Sequence, residues 1–305
     1  MKKVSIITVN YNQPQVTEAL LASIAAFADP AAIEVIVVDN GSTDDHTPQW
    51  NTAYPGVTFI RSAINLGFAG GNNLGIRAAQ GQYVFLVNND TEFTAGLVEK
   101  LVTTLDDHPG TAAVSPKIHY FSEPGVIQYA GFTPMNFYTA RNHCIGQFEK
   151  DTGQYDQASG MTGFAHGAAM MVRRSAIDRA GLMAEHFFLY YEEMDWCEQL
   201  KRAGYDIEVN TQALIYHKES VSVGKKSILK EYFMNRNRLL FIRRNANAVQ
   251  RLVFWIYFLL LVTPRNILTY IREKQKGFTI ALLKAIRWNL THRTGSEELG
   301  WPVKR

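Results

Sequence analysis

The strongest constraint on this chain is the alternation of short apolar runs with helix-patterned stretches over its first hundred residues. Val4-Ser5-Ile6-Ile7-Thr8-Val9 is a β-branched run. Pro14 opens a helical stretch to Phe27, since proline suits an early helix position. Glu34–Val38 reads as a second strand, ended by Asp39-Asn40-Gly41-Ser42, and Val57–Ile60 as a third. A Gly-rich helical stretch, Gly70 to Ala79, follows. Tyr83–Val87 is a fourth strand, ended by Asn88-Asn89-Asp90, and Leu97–Leu105 another helix. Near-continuous apolar strands separated by helices predict a parallel sheet covered on both faces. The expected fold class is therefore α/β: a mostly parallel sheet flanked by helices, with a C-terminal helical extension.

Further along, Thr111 to Gly160 is irregular, and Ala168–Arg173 reads as a strand. Glu192–Ala203 is a helix stopped by Gly204, a good residue just past a helix end. Ile207–Val209 and Ala213–Tyr216 are strands. Lys225–Asn245 is a basic helix, and Val249–Ile271 is apolar around its middle. The 305 residues are expected to divide into a unit at 1–222 and a basic, apolar helical region at 223–305.

The net charge of +3 hides a split. From Gly224 onward there are 17 Lys/Arg and 4 Asp/Glu, while the first 223 residues hold 14 and 24. An acidic body with a basic C-terminal part points to an anionic partner surface, membrane or nucleic acid. The basic part has no zinc-finger spacing and no aromatic RNA-binding motif, so nucleic acid is set aside. Leu252–Val262 is too short an apolar run to cross a bilayer, which takes about 20 residues. Pro264 and Arg265 end it, and Arg243, Arg244 and Arg251 precede it. The reading is an interfacial helix with basic flanks; a core or dimer-interface helix is the alternative. Met1-Lys2-Lys3 runs straight into the first strand, so a cytoplasmic chain is expected. Two cysteines exclude a disulfide scaffold.

Ligands of open α/β sheets bind beyond the carboxyl ends of the strands. Asp39 sits at one such end. Its surroundings are good turn and helix-cap chemistry, yet an acid there also accepts bonds from a nucleobase or ribose. Asn88-Asn89-Asp90 offers oxygens suited to a hard divalent cation shared with phosphates, or is simply a loop. Asn65–Gly75 is a Gly-rich loop entering a helix, without the dinucleotide or Walker spacing. Glu192, Glu193 and Asp195 favour a helix N-terminus, but with Tyr190, Tyr191 and Trp196 beside them they also suit a general base near a sugar. His217 ends a strand and is either structural or a metal ligand.

In this order the signals resemble an inverting family 2 glycosyltransferase with a GT-A-type fold, nearest the bacterial rhamnosyltransferase-like branch. The matching phrases are Ser5–Asn12, Val38–Ser42, Asn65–Asn73, Leu86–Asp90, Phe188–Asp195 and Arg236-Asn237-Arg238, over roughly residues 3 to 245. The resemblance implies that Thr8, Asn10, Tyr11, Asp39, Asn65, Gly70, Asn72, Asn88 and Asn89 bind the nucleotide sugar. It implies a divalent cation, Mg2+ or Mn2+, at Asp90 and His217; Asn88 stands where the family's motif has its first Asp. Glu193 falls at the catalytic base, with Asp195 as the fallback. His166, Gly167, Tyr191 and Trp196 fall near the acceptor. The implied partners are a nucleotide-sugar donor, with dTDP-rhamnose favoured, and a glycan or lipid-linked acceptor. Peripheral contact with an anionic membrane at its inner face is also implied, and homo-oligomers stay open. A degenerate, non-catalytic sugar-binding protein is the main rival, motivated by Asn88 and Glu193. A dinucleotide-dependent oxidoreductase is disfavoured by the missing fingerprint.

Overall fold

The structure is a computed structural model that describes residues 3–218 and 227–303. Its first half is a β/α ladder: β1 (Val4–Asn10), α1 (Pro14–Phe27), β2 (Ile33–Asn40), α2 (Thr47–Ala53), β3 (Val57–Ser62), α3 (Gly67–Ala78) and β4 (Tyr83–Val87). Then come β5 (Thr91–Glu92), α4 (Leu97–Asp107), β6 (Thr111–Tyr120), β7 (Ile127–Tyr129), β8 (Gly160–Met161), β9 (Ala169–Arg173), α5 (Arg174–Ala180), α6 (Glu192–Arg202) and β10 (Asp206–His217). Four helices close the chain: α7 (Ile228–Asn245), α8 (Ala248–Tyr257), α9 (Thr263–Arg272) and α10 (Lys276–Thr291).

The main sheet runs in the order β3-β2-β1-β4-β9-β6-β10-β5. Along it only β9 and β5 oppose the common direction, so the expected α/β, mostly parallel sheet is what forms. The strand order turns back on itself at β1, which pairs with both β2 and β4. That is the switch point where a crevice opens beyond the strand ends. Asn10, Asp39 and Asn88 all sit at its rim.

The glycines of the Asn65–Gly75 segment act differently from a phosphate-cradling loop. The helix already starts at Gly67. A Cβ on Gly75 would stand 2.4 Å from Ile7 Cγ2, and one on Gly71 2.9 Å from Val9 Cγ1. Their lack of side chains lets α3 lie close on β1. Ile207–Val209 and Ala213–Tyr216 are one strand, β10, broken by a register shift between Asn210 and Leu214. Asn210 Oδ1 accepts the Gln212 and Ala213 N–H groups there, satisfying the bulge.

The basic helix α7 begins with Ser227 capping the Lys230 N–H. Its expected start at Lys225, and the boundary between 222 and 223, lie outside the described residues. One hydrophobic cluster joins Ile7, Val84 and Trp196 of the body to Leu240, Phe254, Phe258 and Leu282 of the C-terminal helices.

The apolar C-terminal run does not stop at Pro264. Ala248–Arg272 is a continuous 25-residue helical stretch, long and apolar enough by length and composition to cross a membrane. A π turn at Phe258–Val262 makes this possible. In it the Thr263 N–H bonds back to the Phe258 carbonyl, and the wider turn admits a proline that a tight one would reject.

Candidate active site

The donor side of the crevice is built on Asp39. The carboxylate is 1% exposed. Its Oδ1 accepts from Asn10 Nδ2 at 2.9 Å and from the Ser42 hydroxyl. Asn10 is itself held, its Oδ1 accepting from Thr17 Oγ1 at 3.0 Å. Asp39 Oδ2 has no hydrogen-bond donor, and Arg61 Nε lies 3.8 Å from it. The Thr8 hydroxyl nearby is also buried without a partner. Two orphaned buried oxygens at a strand end are costly unless a ligand completes them. Tyr11 is half-buried just beyond Asn10. Ser42 was missed by the sequence reading, although it lies in the quoted Val38–Ser42 phrase.

The pair expected to hold a cation is Asp90 and His217. His217 Nδ1 lies 2.8 Å from Gln128 Oε1, so Nδ1 carries the proton and Nε2 keeps its lone pair. That Nε2 faces Asp90 Oδ1 at 3.1 Å, and Oδ1 has no hydrogen-bond donor. Asn88 Nδ2 makes only a long 3.4 Å contact to the same nitrogen. Two acceptor atoms aimed at each other want a cation between them. A neutral imidazole fixed by a partner on its far nitrogen is the usual form of a metal-bound histidine. The residues fit a divalent ion with two protein ligands and open positions for phosphate oxygens. Among the described residues no group of three or more His, Cys, Asp or Glu gathers as a self-sufficient metal site. Gln128 carried no sequence signal, being 89 residues from His217. Replacing Gln128 by Leu is expected to weaken metal affinity about 10–100-fold, read by Mn2+ titration in the presence of nucleotide.

The base side is the start of α6. Glu193 is half-buried and lies against Gly167, where a Cβ would be 3.4 Å from Glu193 Cγ. Burial raises its pKa, which bonds from its own and the Met194 N–H oppose. Glu192 beside it is buried, and burial plus the neighbouring carboxylate push it well above the usual range.

The segment His166-Gly167-Ala168 gathers these parts. Gly167 backs Glu193, the His166 ring lies 6.4 Å from the His217 ring, and the Ala168 carbonyl accepts the Asn88 N–H at 2.9 Å. Burial first, and then the neighbouring His217 ring, push His166 down to about 3. It is a neutral ring whose Nδ1 accepts the Ala168 N–H, stacked on Phe132.

Several residues expected at the site have partners within the fold, and two, Asp195 and Trp196, are closed off by them. Asp195 is fully buried, bound to Arg244 Nε at 2.9 Å, Arg244 Nη2 at 3.0 Å and Asn245 Nδ2 at 2.7 Å. All its donors are structural, so it is no spare base. Trp196 is 0% exposed and its Nε1–H donates to the Gly181 carbonyl, leaving no ring face for an acceptor. Asn72 Nδ2 donates to the Phe68 carbonyl of its own helix. Gly70 is packed over Leu66, where a Cβ would be 2.6 Å away. Asn65 Oδ1 pins the start of α3 by accepting the Gly67 N–H. Asn89 Nδ2 donates to Thr17 Oγ1 at 3.1 Å. Tyr191 is half-buried, packed near Phe241, and burial pushes its hydroxyl up to about 12.

The approach to α6 is strained. Phe188, Tyr190 and Tyr191 have φ of 66°, 71° and 72°, each costing about 1–3 kcal/mol. Asn237 holds this turn, its Nδ2 donating to the carbonyls of Phe187, Leu189 and Tyr190. Arg236, buried beside it, donates to the His186 and Phe187 carbonyls. The Arg236-Asn237 phrase is thus the clamp that positions Glu193.

A switch-point crevice with an unpartnered buried carboxylate oxygen, a facing carboxylate–imidazole pair and a raised carboxyl is the setting in which the family comparison falls. The pattern described as Glycosyl transferase family 2 matches residues 5–181, and the chain belongs to that family of glycosyltransferases. It is 28% identical over 241 residues to the low-salt glycan biosynthesis hexosyltransferase Agl10 of Haloferax volcanii, covering 77% of this chain and 74% of that one. It is 26% identical over 241 residues to the N-acetylglucosaminyl-diphospho-decaprenol L-rhamnosyltransferase of Mycobacterium tuberculosis, covering 72% and 77%. Its fold matches that of S. aureus TarS 1–349, with TM-score 0.60, 16% identity and coverage of 96% and 82%. It also matches the mannosyltransferase PcManGT of Pyrobaculum calidifontis in complex with GDP-Man and Mn2+, with TM-score 0.57, 16% identity and coverage of 95% and 87%.

Proposed function

We propose that this glycosyltransferase moves a sugar, rhamnose from dTDP-rhamnose favoured, onto a hydroxyl of a glycan or lipid-linked acceptor, with inversion. The observation that carries the reading is the gathering of Glu193 and the Asp90–His217 pair around His166-Gly167-Ala168. Glu193 takes the acceptor hydroxyl proton, and the freed oxygen attacks the anomeric carbon from the face opposite the leaving diphosphate. A divalent cation held by Asp90 and His217 would supply charge stabilisation for that diphosphate. Asp39 Oδ2, with Arg61 beside it, suits a ring imide N–H flanked by a carbonyl, as in thymine. The rhamnosyltransferase relative supports the sugar. The test is a thermal-shift panel of dTDP-rhamnose, UDP-N-acetylglucosamine, UDP-galactose and GDP-mannose with and without Mn2+. A donor at 100 times its Kd should stabilise the fold by about 2.7 kcal/mol. The reading predicts the largest shift with dTDP-rhamnose and Mn2+, and no shift with any donor would sink it.

The same proposal places the enzyme at the inner membrane face. Only 22% of the most apolar window of Ala248–Arg272 is buried, whereas a core helix is mostly covered. Phe254, Phe258 and Val262 pack into the body, while Leu252, Ile256, Leu260 and Leu261 are exposed. A helix glued along one side to the catalytic body lies in the interface rather than across it. Arg251 and Arg272 lie near its ends and Arg265 within it, suited to anionic headgroups. Flotation with phosphatidylglycerol vesicles is expected to carry the full chain upward at low salt and less so at 0.5 M salt; no flotation on anionic vesicles would refute the contact.

A further inference from the structure

The irregular segment between β7 and β8 presents an aromatic ring that neither the fold nor the site above uses. Phe148 is 74% exposed. Its inner face stacks on Tyr120, with centroids 5.5 Å apart and planes 6° from parallel. Tyr120 pairs with His217 in the β6–β10 ladder. Both residues end their strands on the carboxyl side of the sheet, the side on which such sheets bind ligands, so the Phe148 ring belongs to the rim of that face.

The ring is held there against its conformational preference. Phe148 has φ of 67°, a region that bulky residues rarely enter. Its N–H donates to the Ile127 carbonyl at 2.9 Å, and the Glu149 carbonyl accepts the Ile127 N–H at 2.8 Å. Three residues on, Asp151 pairs with Lys117 Nζ at 2.6 Å and His119 Nε2 at 2.8 Å, clipping the turn to β6. Strain at an exposed, rigidly anchored aromatic is the mark of a functional position.

We propose that the outer face of Phe148 is an acceptor subsite that stacks a pyranose ring of the acceptor glycan. This rests on the glycosyl-transfer reading above. The axial C–H bonds of a pyranose make a weakly positive, apolar face that matches the negative face of an aromatic ring. The surrounding groups suit the sugar hydroxyls: the Gln147 amide reaches Tyr120 Oη at 3.5 Å, and Glu149 accepts from Tyr155 at 3.0 Å. Lys218, next to His217 in the chain, stands 4.7 Å over the Phe121 ring. An exposed aromatic face in a segment that also carries Gln147 and Glu149 suits a carbohydrate better than a lipid chain.

The test is saturation-transfer NMR on the full chain with methyl α-L-rhamnoside, methyl β-N-acetylglucosaminide and methyl β-galactoside. Wild type, Phe148→Ala and Phe148→Trp are compared, with the nucleotide-sugar thermal shift measured on the same samples. At least one glycoside is expected to bind wild type, about tenfold more weakly to Phe148→Ala and no more weakly to Phe148→Trp, while the donor shift stays unchanged in all three. Equal binding by Phe148→Ala, loss in both variants, or no glycoside binding beside a normal donor shift would each overturn the subsite. A missing donor shift in wild type would instead overturn the glycosyl-transfer reading, and the subsite with it.

Discussion

Replacing Glu193 by Gln is expected to lower kcat by about 10²–10⁴-fold while leaving donor affinity within about twofold. Glutamine keeps the shape against Gly167 but cannot take a proton. The proposed donor contacts lie elsewhere, at Asp39 and at the Asp90–His217 pair, so nucleotide-sugar calorimetry should barely change. The pH dependence follows from the same burial. Only the carboxylate form works as a base, and burial raises the Glu193 pKa. The rate should therefore fall as pH drops through a value above the ordinary glutamate range of about 4.3. In Glu193→Gln this acidic limb should vanish from the residual rate. Wild-type turnover in the variant would remove Glu193 from the mechanism.

Asp195→Ala is expected to act on stability, at about 3–5 kcal/mol, because breaking a buried pair strands the remaining charge. Arg244 is 22% exposed in its side chain, so some solvent reaches it and the lower end of that range applies. Asn245 Nδ2 loses its carboxylate partner in the same step. Denaturant unfolding reads the loss directly. Arg244→Ala should cost a similar amount, and the double variant much less than the sum, since both singles break one interaction. Folded Asp195→Ala should still turn over. A variant of normal stability and no activity would make Asp195, rather than Glu193, the catalytic carboxylate.

The two acids show where sequence pattern carries far and where it stops. Glu193 and Asp195 share one helix turn with Glu192, and all three are acids suited to a helix start. Nothing in their spacing says which is free. Arg244 and Asn245 take Asp195, and they lie 49 and 50 residues away. Likewise the aromatics Tyr191 and Trp196 look alike as sugar platforms, until Trp196 proves to be bonded to Gly181 inside the core. The C-terminal helix shows the same limit. Pro264 ends a helix by local rules, but a π turn one residue before α9 carries the chain through it.

Sequence alone determined the sheet and the chemistry available at its edge. Strand and helix periods are local properties, set by side-chain alternation and by what each residue's backbone tolerates, so β1 to β4 and the loops after them were legible. Asp39, Asp90 and His217 stood out as candidates, because strand ends are where such a sheet binds ligands. Tertiary structure decided which of those polar groups stay unsatisfied. Asp39 Oδ2, Thr8 Oγ1 and Asp90 Oδ1 are left open, whereas both oxygens of Asp195 are taken. Whether a buried oxygen has a donor depends on distant residues arriving beside it, as Gln128 does at His217 and Asn237 at the turn before Glu193. Only the packed sheet brings those partners together, and the orphaned atoms it leaves are where a ligand has something to gain.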